Sequence, residues 1–300
     1  MYVITGATGH TGQIAAEKLL ATGAKVRVVG RDAKRLEQLS RKGAEAFVAD
    51  MTDASALEKA FSGARAIYAL IPPNIGAPDV RAYQERVSDS IGTAIRNNGV
   101  AYAVILSSFG AEKEKGTGPI VGLRSLEKKL ESIAGLNLLS LRCGYFMENL
   151  LPQTGIIQSL GFMAGPVRVD LALPMIATGD IGDAAAESLA KLDFTGKQTR
   201  ELQGARDVNY AEAATIIGNA IGKTGLSYRQ VPASMLRPAL MQMGMSSNMV
   251  DLLLEMAEAM NTGHIKMLEP RSPQNTTATT FETFVVEVFA PAYRGKAAGA

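Results

Sequence analysis

The chain opens MYVITGATGHTG, so Gly6, Gly9 and Gly12 recur at every third position directly behind an apolar, β-branched run. No other stretch restricts the possible folds as tightly. A strand that ends in G-x-x-G-x-x-G and passes into helical spacing is the mark of a dinucleotide-binding βαβ unit. Gly6 permits the tight turn, Gly9 lets a pyrophosphate approach the main chain, and Gly12 lets the helix lie close to the sheet. The N–H groups at the helix start then meet the anion, aided by the helix dipole. Thr8 and Thr11 add hydroxyl donors, and His10 is placed to contact cofactor or solvent. No G-K-[ST] follows, which disfavours ATP hydrolysis.

Behind this loop, β-branched runs at 3–5, 26–29, 46–49, 66–71, 104–107 and 138–141 predict buried strands. Helical segments at 13–20, 33–42, 81–97 and 120–133 separate them, with Asp32 placed to cap the second. Strands joined through helices need crossover connections, hence a parallel sheet covered on both faces. The expected fold is α/β. A Rossmann-type doubly wound parallel sheet spans 1–149, and a smaller C-terminal α+β substrate-binding lobe, able to return strands to the first domain, spans 150–293. Residues 294–300 read as a disordered tail. Within the lobe, the patterns predict a helix at 183–192 opened by Asp180 and strands at 200–202 and 227–231. Asn209 with Glu212 forms a capping-box signature, and an amphipathic helix at 281–289 is expected to stop at Pro291.

Composition removes several function classes. Lys+Arg 31 against Asp+Glu 29 leaves a net charge of +2, without the basic excess a nucleic-acid binder carries. With 47% hydrophobic and 20% charged residues, the chain can bury a large core. One cysteine, Cys143, excludes an internal disulfide, and with only His10 and His264 besides it no metal site is expected. No run is long and apolar enough to span a membrane. The first strand begins at the N-terminus and leaves no room for a leader, so a soluble, cytoplasmic protein is expected.

The end of the second strand, Val29-Gly30-Arg31-Asp32, bears on which dinucleotide binds. An NAD site usually places an acid here for the ribose 2′-hydroxyl. Arg31 instead offers a planar cation suited to a 2′-phosphate, with Lys34 and Arg35 within one turn. NADP(H) is favoured over NAD(H), with Asp32 as the alternative ribose partner. Asp50, just before Met51, sits where an adenine edge would be read, or is a simple turn acid.

Four stretches carry a wider resemblance: TGATGHTG at 5–12, LRCGYFMENL at 141–150, ATGDIGDAAA at 177–186 and TTFETFVVEVFAPAY at 279–293. In them the chain resembles the NmrA-like branch of the atypical short-chain dehydrogenases/reductases, most of all its NAD(P)H:quinone oxidoreductase and triphenylmethane reductase group. The resemblance implies that Leu70, Ile71 and Pro72 line the cofactor and that Ser107 faces its nicotinamide half. Cys143 stands where the family typically has proline, and reads as a small buried hydrophobe.

The Tyr-x-x-x-Lys dyad of ordinary short-chain dehydrogenases is absent. Leu123 and Glu127 hold its spacing, and Lys128 and Lys129 read as surface charges. A quinone or dye can be reduced without the dyad, because positioning the acceptor over the nicotinamide supplies most of the catalysis. The expected function is therefore an NADPH-dependent reductase of quinones or similar conjugated small molecules. A dinucleotide-binding redox sensor of the same family is the alternative. Tyr145 is the candidate catalytic residue, by stacking or hydrogen bonding, with Phe146 and Asn149 as substrate contacts; packing roles fit the same three residues. The methionines from Met235 to Met260 suit either an adaptable substrate wall or core packing, in two helices broken near Gly244.

Overall fold

The computed structural model describes residues 1–295. The alternation begins with β1 (Tyr2–Thr5), α1 (His10–Ala21), β2 (Val26–Gly30), α2 (Ala33–Arg41), β3 (Glu45–Val48) and α3 (Ala54–Phe61). It continues through β4 (Ala66–Ala69), α4 (Val80–Asn98), β5 (Tyr102–Ser108), α5 (Ile120–Glu131) and β6 (Asn137–Cys143). Then come β7 (Tyr145–Phe146), a 3₁₀ turn (Met147–Leu150), α6 (Gln153–Leu160), β8 (Met163–Gly165) and β9 (Met175–Ile176). Next are α7 (Thr178–Lys191), β10 (Lys197–Leu202), α8 (Tyr210–Ile221) and β11 (Tyr228–Gln230). The chain closes with α9 (Ala233–Gln242), α10 (Ser247–Asn261), α11 (Phe281–Phe284), a π turn (Val285–Phe289) and α12 (Ala290–Tyr293).

Seven parallel strands form the central sheet in the order β10-β6-β5-β4-β1-β2-β3. This is the Rossmann-type α/β arrangement. Successive side chains of β1 feed opposite layers: Val3 packs with α3, α4 and α5, and Ile4 with α1, α2 and α7. A third apolar cluster lies under the C-terminal elements, where the parallel pairs β7–β9 and β8–β11 sit. β10 and α7, although late in the chain, belong to the central sheet and its cover.

Several local expectations shift. The strand read at 46–49 is the sheet's edge, largely exposed, because none of the described strands pairs with its far side. The strand read at 66–71 stops at Ala69, which frees Leu70 and Ile71 for the loop beyond. The helix read from Asp183 starts at Thr178, so Asp180 lies inside its first turn and accepts hydrogen bonds from the Thr279 backbone and hydroxyl. Pro291 does not stop the last helix. It occupies the first turn of α12, where its missing N–H leaves no bond unmade, and a π turn precedes it. Residues 296–300 of the expected tail lie outside the described residues. Arg294 donates to the Ala220 carbonyl at 2.9 Å.

The α1–α7 contact is close because Gly182 faces α1. A Cβ there would lie 2.8 Å from both the Ile14 Cβ and the Thr11 carbonyl oxygen. Gly182→Val is expected to destabilise the fold by about 1–3 kcal/mol through overpacking. An unchanged urea midpoint in that variant would contradict the packing described.

Candidate functional site

Between β1 and β4 the strand order reverses, and the strand C-termini open a crevice there. A cavity of about 590 Å³ fills it. Its first wall is the glycine loop. Gly6 takes φ +61°, and a Cβ at Gly12 would come within 2.5 Å of the Gly6 carbonyl oxygen, so main chain packs directly on main chain. Asp32, Asp53 and Asp79 cap α2, α3 and α4, but α1 begins with no side-chain cap. Its first-turn N–H groups thus have no side-chain partner, which is the arrangement that attracts an anion. Thr11 is anchored by the buried Tyr68, whose hydroxyl donates to it at 3.0 Å.

At the rim, Arg31 is exposed, and its charge reaches Asp50 and Tyr83. Arg35 donates to the Thr8 carbonyl at 2.7 Å and so ties α2 to the loop. Asp32 is engaged: its carboxylate accepts from the backbones of Lys34 (2.9 Å) and Arg35 (3.3 Å). Asp50 accepts from the Thr52 backbone and hydroxyl, hydrogen bonds that hold its carboxyl below the usual range. Met51 beside it is buried.

Of the residues singled out in the sequence, His10, Thr11, Leu70, Ile71, Pro72, Ser107, Tyr145, Phe146 and Asn149 converge on the cavity. Gly6, Thr8 and Gly9 belong to the adjoining loop, and Gly12 to the first turn of α1. Arg31, Arg35, Asp50 and Met51 lie past the ends of β2 and β3, outside the cavity lining. The methionine stretch divides. Met249, Met256 and Met260 line the cavity from α10, whereas Met235, Met241 and Met243 are exposed on or just after α9, a helix with no buried residue. Cys143 is fully buried, and burial pushes its thiol up, as suits a hydrophobe. His264 has a partner that the sequence did not reveal: its Nε2 lies 3.1 Å from the Lys115 carbonyl oxygen.

Two polar networks escape sequence reasoning because their members are far apart in the chain. In the first, Glu127 is 1% exposed and receives Arg142 through Nε (3.0 Å) and Nη2 (2.6 Å). Ser107 donates to the same carboxylate at 2.6 Å. With its proton committed there, Ser107 Oγ offers the cavity only lone pairs. The helical position that would hold lysine in a dyad thus carries a carboxylate, and Leu123, one turn earlier, lines the cavity. In the second network, Glu148 accepts from the Thr178 backbone (3.0 Å) and hydroxyl (2.5 Å) at the start of α7. His10 Nδ1 stands 3.4 Å from that hydroxyl. No Lys or Arg is among the described residues lining the cavity, so it is an apolar chamber with a few directed polar groups.

The NmrA-like family pattern matches residues 2–285, nearly the whole chain. The chain belongs to the NmrA-like family. Among its curated relatives, the NAD(P)H azoreductase of Xenophilus azovorans is 23% identical over 258 residues, covering 85% of this chain and 86% of that protein. Quinone oxidoreductase 2 of Escherichia coli is 25% identical over 260 residues, with the same coverage of 85% and 86%. Among solved structures, the Citrobacter triphenylmethane reductase complexed with NADP(H) superposes with a TM-score of 0.78 at 17% identity, covering 95% of this chain and 99% of its own. At that identity the likeness concerns the fold.

Removing one side of the buried ion pair leaves an uncompensated charge. Glu127→Ala is expected to cost about 3–5 kcal/mol in urea unfolding. Glu127→Gln should cost less, since its amide oxygen still accepts from Arg142. If the alanine variant melts like wild type, the network contributes nothing to the fold.

Proposed function

We propose that this protein is an NADPH-dependent reductase of quinones or similar conjugated small molecules, working without a Tyr-x-x-x-Lys dyad. The observation that carries the proposal is the junction of an uncapped helix start with an apolar cavity that has Leu123 where a dyad tyrosine would stand. The family relatives named for azo and quinone reduction support the same reading.

In this reading the cofactor pyrophosphate lies over Gly9 against the first turn of α1. The loop fits that group: α1 lacks a cap, and a Cβ at Gly9 would already stand 3.3 Å from the Gly6 carbonyl oxygen, with the anion's approach beyond it. Arg31 meets the adenosine 2′-phosphate, with Arg35 bracing the loop; Asp32, committed to its helix cap, is withdrawn from the ribose. Asp50 and Met51 flank the adenine. Leu70, Ile71 and Pro72 line one side of the nicotinamide half, Ser107 takes a donor group from it, and His10 and Thr11 close the loop side. Bound there, NADPH supplies a hydride. Phe146, Tyr145 and Asn149 hold a flat acceptor, and the methionines of α10 adapt to its shape.

Turnover is the deciding measurement. Loss of nicotinamide absorbance over many cycles with a panel of quinones and dyes is expected. Tight NADPH binding with no acceptor reduced would favour a redox sensor instead.

Gly9→Val should abolish cofactor binding while the protein stays folded, since a branched side chain would occupy the pyrophosphate's approach. Retained affinity in the folded variant would remove the loop from the cofactor site. Wild type should also bind NADPH more tightly than NADH by roughly one to two decades, the equivalent of about 1.5–3 kcal/mol for a charge-assisted hydrogen bond. Arg31→Ala should erase most of that gap and leave NADH affinity nearly unchanged. The gap should narrow as salt rises, because Arg31 is exposed. Equal affinities in wild type would return the ribose to Asp32.

A further inference from the structure

Tyr145 reaches the cavity on a rigid support. Its backbone N–H donates to the Pro174 carbonyl at 3.1 Å, and β7 pairs with β9. The preceding Gly144 leaves no room for a side chain, since a Cβ there would lie 2.1 Å from the Pro174 oxygen. Behind Tyr145 stands Tyr210, 4% exposed and contributed by α8. The two phenol oxygens are 3.0 Å apart. The Tyr210 ring stacks on Tyr228 at 4.2 Å and 24°, and the Tyr228 hydroxyl donates to the Val167 carbonyl.

Two touching hydroxyls have two protons, and only one can lie between them. Among the described residues, the Tyr210 hydroxyl has no hydrogen-bond partner besides Tyr145. Were Tyr145 the donor, the Tyr210 proton would be buried without an acceptor, at a cost of about 1–3 kcal/mol. Tyr210 therefore donates, and the proton left over belongs to Tyr145, which lines the cavity. Burial pushes the Tyr145 phenol up, so it keeps that proton at neutral pH, while the hydrogen bond it accepts from Tyr210 makes it a better donor.

We infer that Tyr145, held in place by Tyr210, donates a hydrogen bond to the acceptor's oxygen as that oxygen becomes negative, which fits the site to quinones over acceptors reduced at carbon. The inference rests on the reductase reading above and adds to it a donor, a positioning residue and a preferred acceptor chemistry. A quinone that takes up hydride at one oxygen keeps that hydrogen there and carries the negative charge on its other oxygen, until water protonates that oxygen, leaving hydroxide and the hydroquinone. The phenol stabilises that oxygen and need not give up its own proton. A triarylmethane cation takes the hydride at its central carbon and becomes neutral, so no oxyanion forms and the phenol has nothing to stabilise.

The test compares a short-chain 1,4-benzoquinone with a triarylmethane dye, both at saturating NADPH, in wild type, Tyr145→Phe, Tyr210→Phe and the double variant. Tyr145→Phe is expected to lower kcat for the quinone about a hundredfold, near the lower end for loss of one such donor. Tyr210→Phe should lower it about tenfold, and in both variants dye turnover should fall less than quinone turnover, so that the quinone-to-dye ratio drops. The double variant should be no slower than Tyr145→Phe alone, because Tyr210 acts only through Tyr145. Equal losses with both acceptors would assign the pair a structural role and overturn the inference. So would unaltered quinone turnover in a folded Tyr145→Phe protein, or a wild type that reduces the dye and no quinone. If wild type reduces the quinone alone, additive losses in the double variant overturn the inference and non-additive losses support it. A wild type that binds NADPH and reduces neither acceptor fells the reductase reading itself, and this inference with it.

Discussion

The site depends on one main-chain contact, the approach of α1 at Gly12 to the carbonyl of Gly6. No side-chain atom fits between them. That contact sets the uncapped helix start against the C-terminal ends of β1 and β4, where the strand order reverses and the crevice opens. The same closeness continues at Gly182, which brings α7 onto α1 and thereby delivers Thr178 and Glu148 to the loop beside His10. A helix held farther out would draw His10, Thr11 and Thr178 away from the cavity they line.

The polar groups around the cavity have fixed directions. Ser107 is turned into an acceptor by Glu127, which is itself neutralised by Arg142. Glu148 is held at the start of α7 by Thr178, where the helix dipole favours its charge. Tyr145, which lines the cavity, accepts a hydrogen bond from Tyr210. Fixing hydroxyl directions ahead of ligand binding lowers the reorganisation that any charge developing in such a chamber would demand.

Much of this was legible in the sequence wherever the cause is local. The glycine loop, the Asp32 cap, the Asn209–Glu212 cap and the strand–helix alternation all depend on neighbours a few residues apart, and each appears in the structure. Errors arose where a local pattern meets a distant condition. The apolar run at 46–49 reads as buried but lies at the sheet's edge, and Pro291 reads as a stop but falls in the first turn of a short helix. The methionines form one stretch of sequence, yet those of α10 line the cavity while α9, which rests on α10, buries none of its own. Composition alone cannot separate those two environments.

By itself the sequence determined the α/β class, the glycine loop and the absence of a Tyr-x-x-x-Lys dyad, because each follows from residue types at short spacing. Tertiary structure alone decided which side chains meet. Ser107, Glu127 and Arg142 come from β5, α5 and β6, while Tyr145 and Tyr210 lie 65 positions apart on β7 and α8. Hydrogen bonds act over about 3 Å, so these networks exist only once parallel pairing and crossover helices have brought distant segments to one end of the sheet.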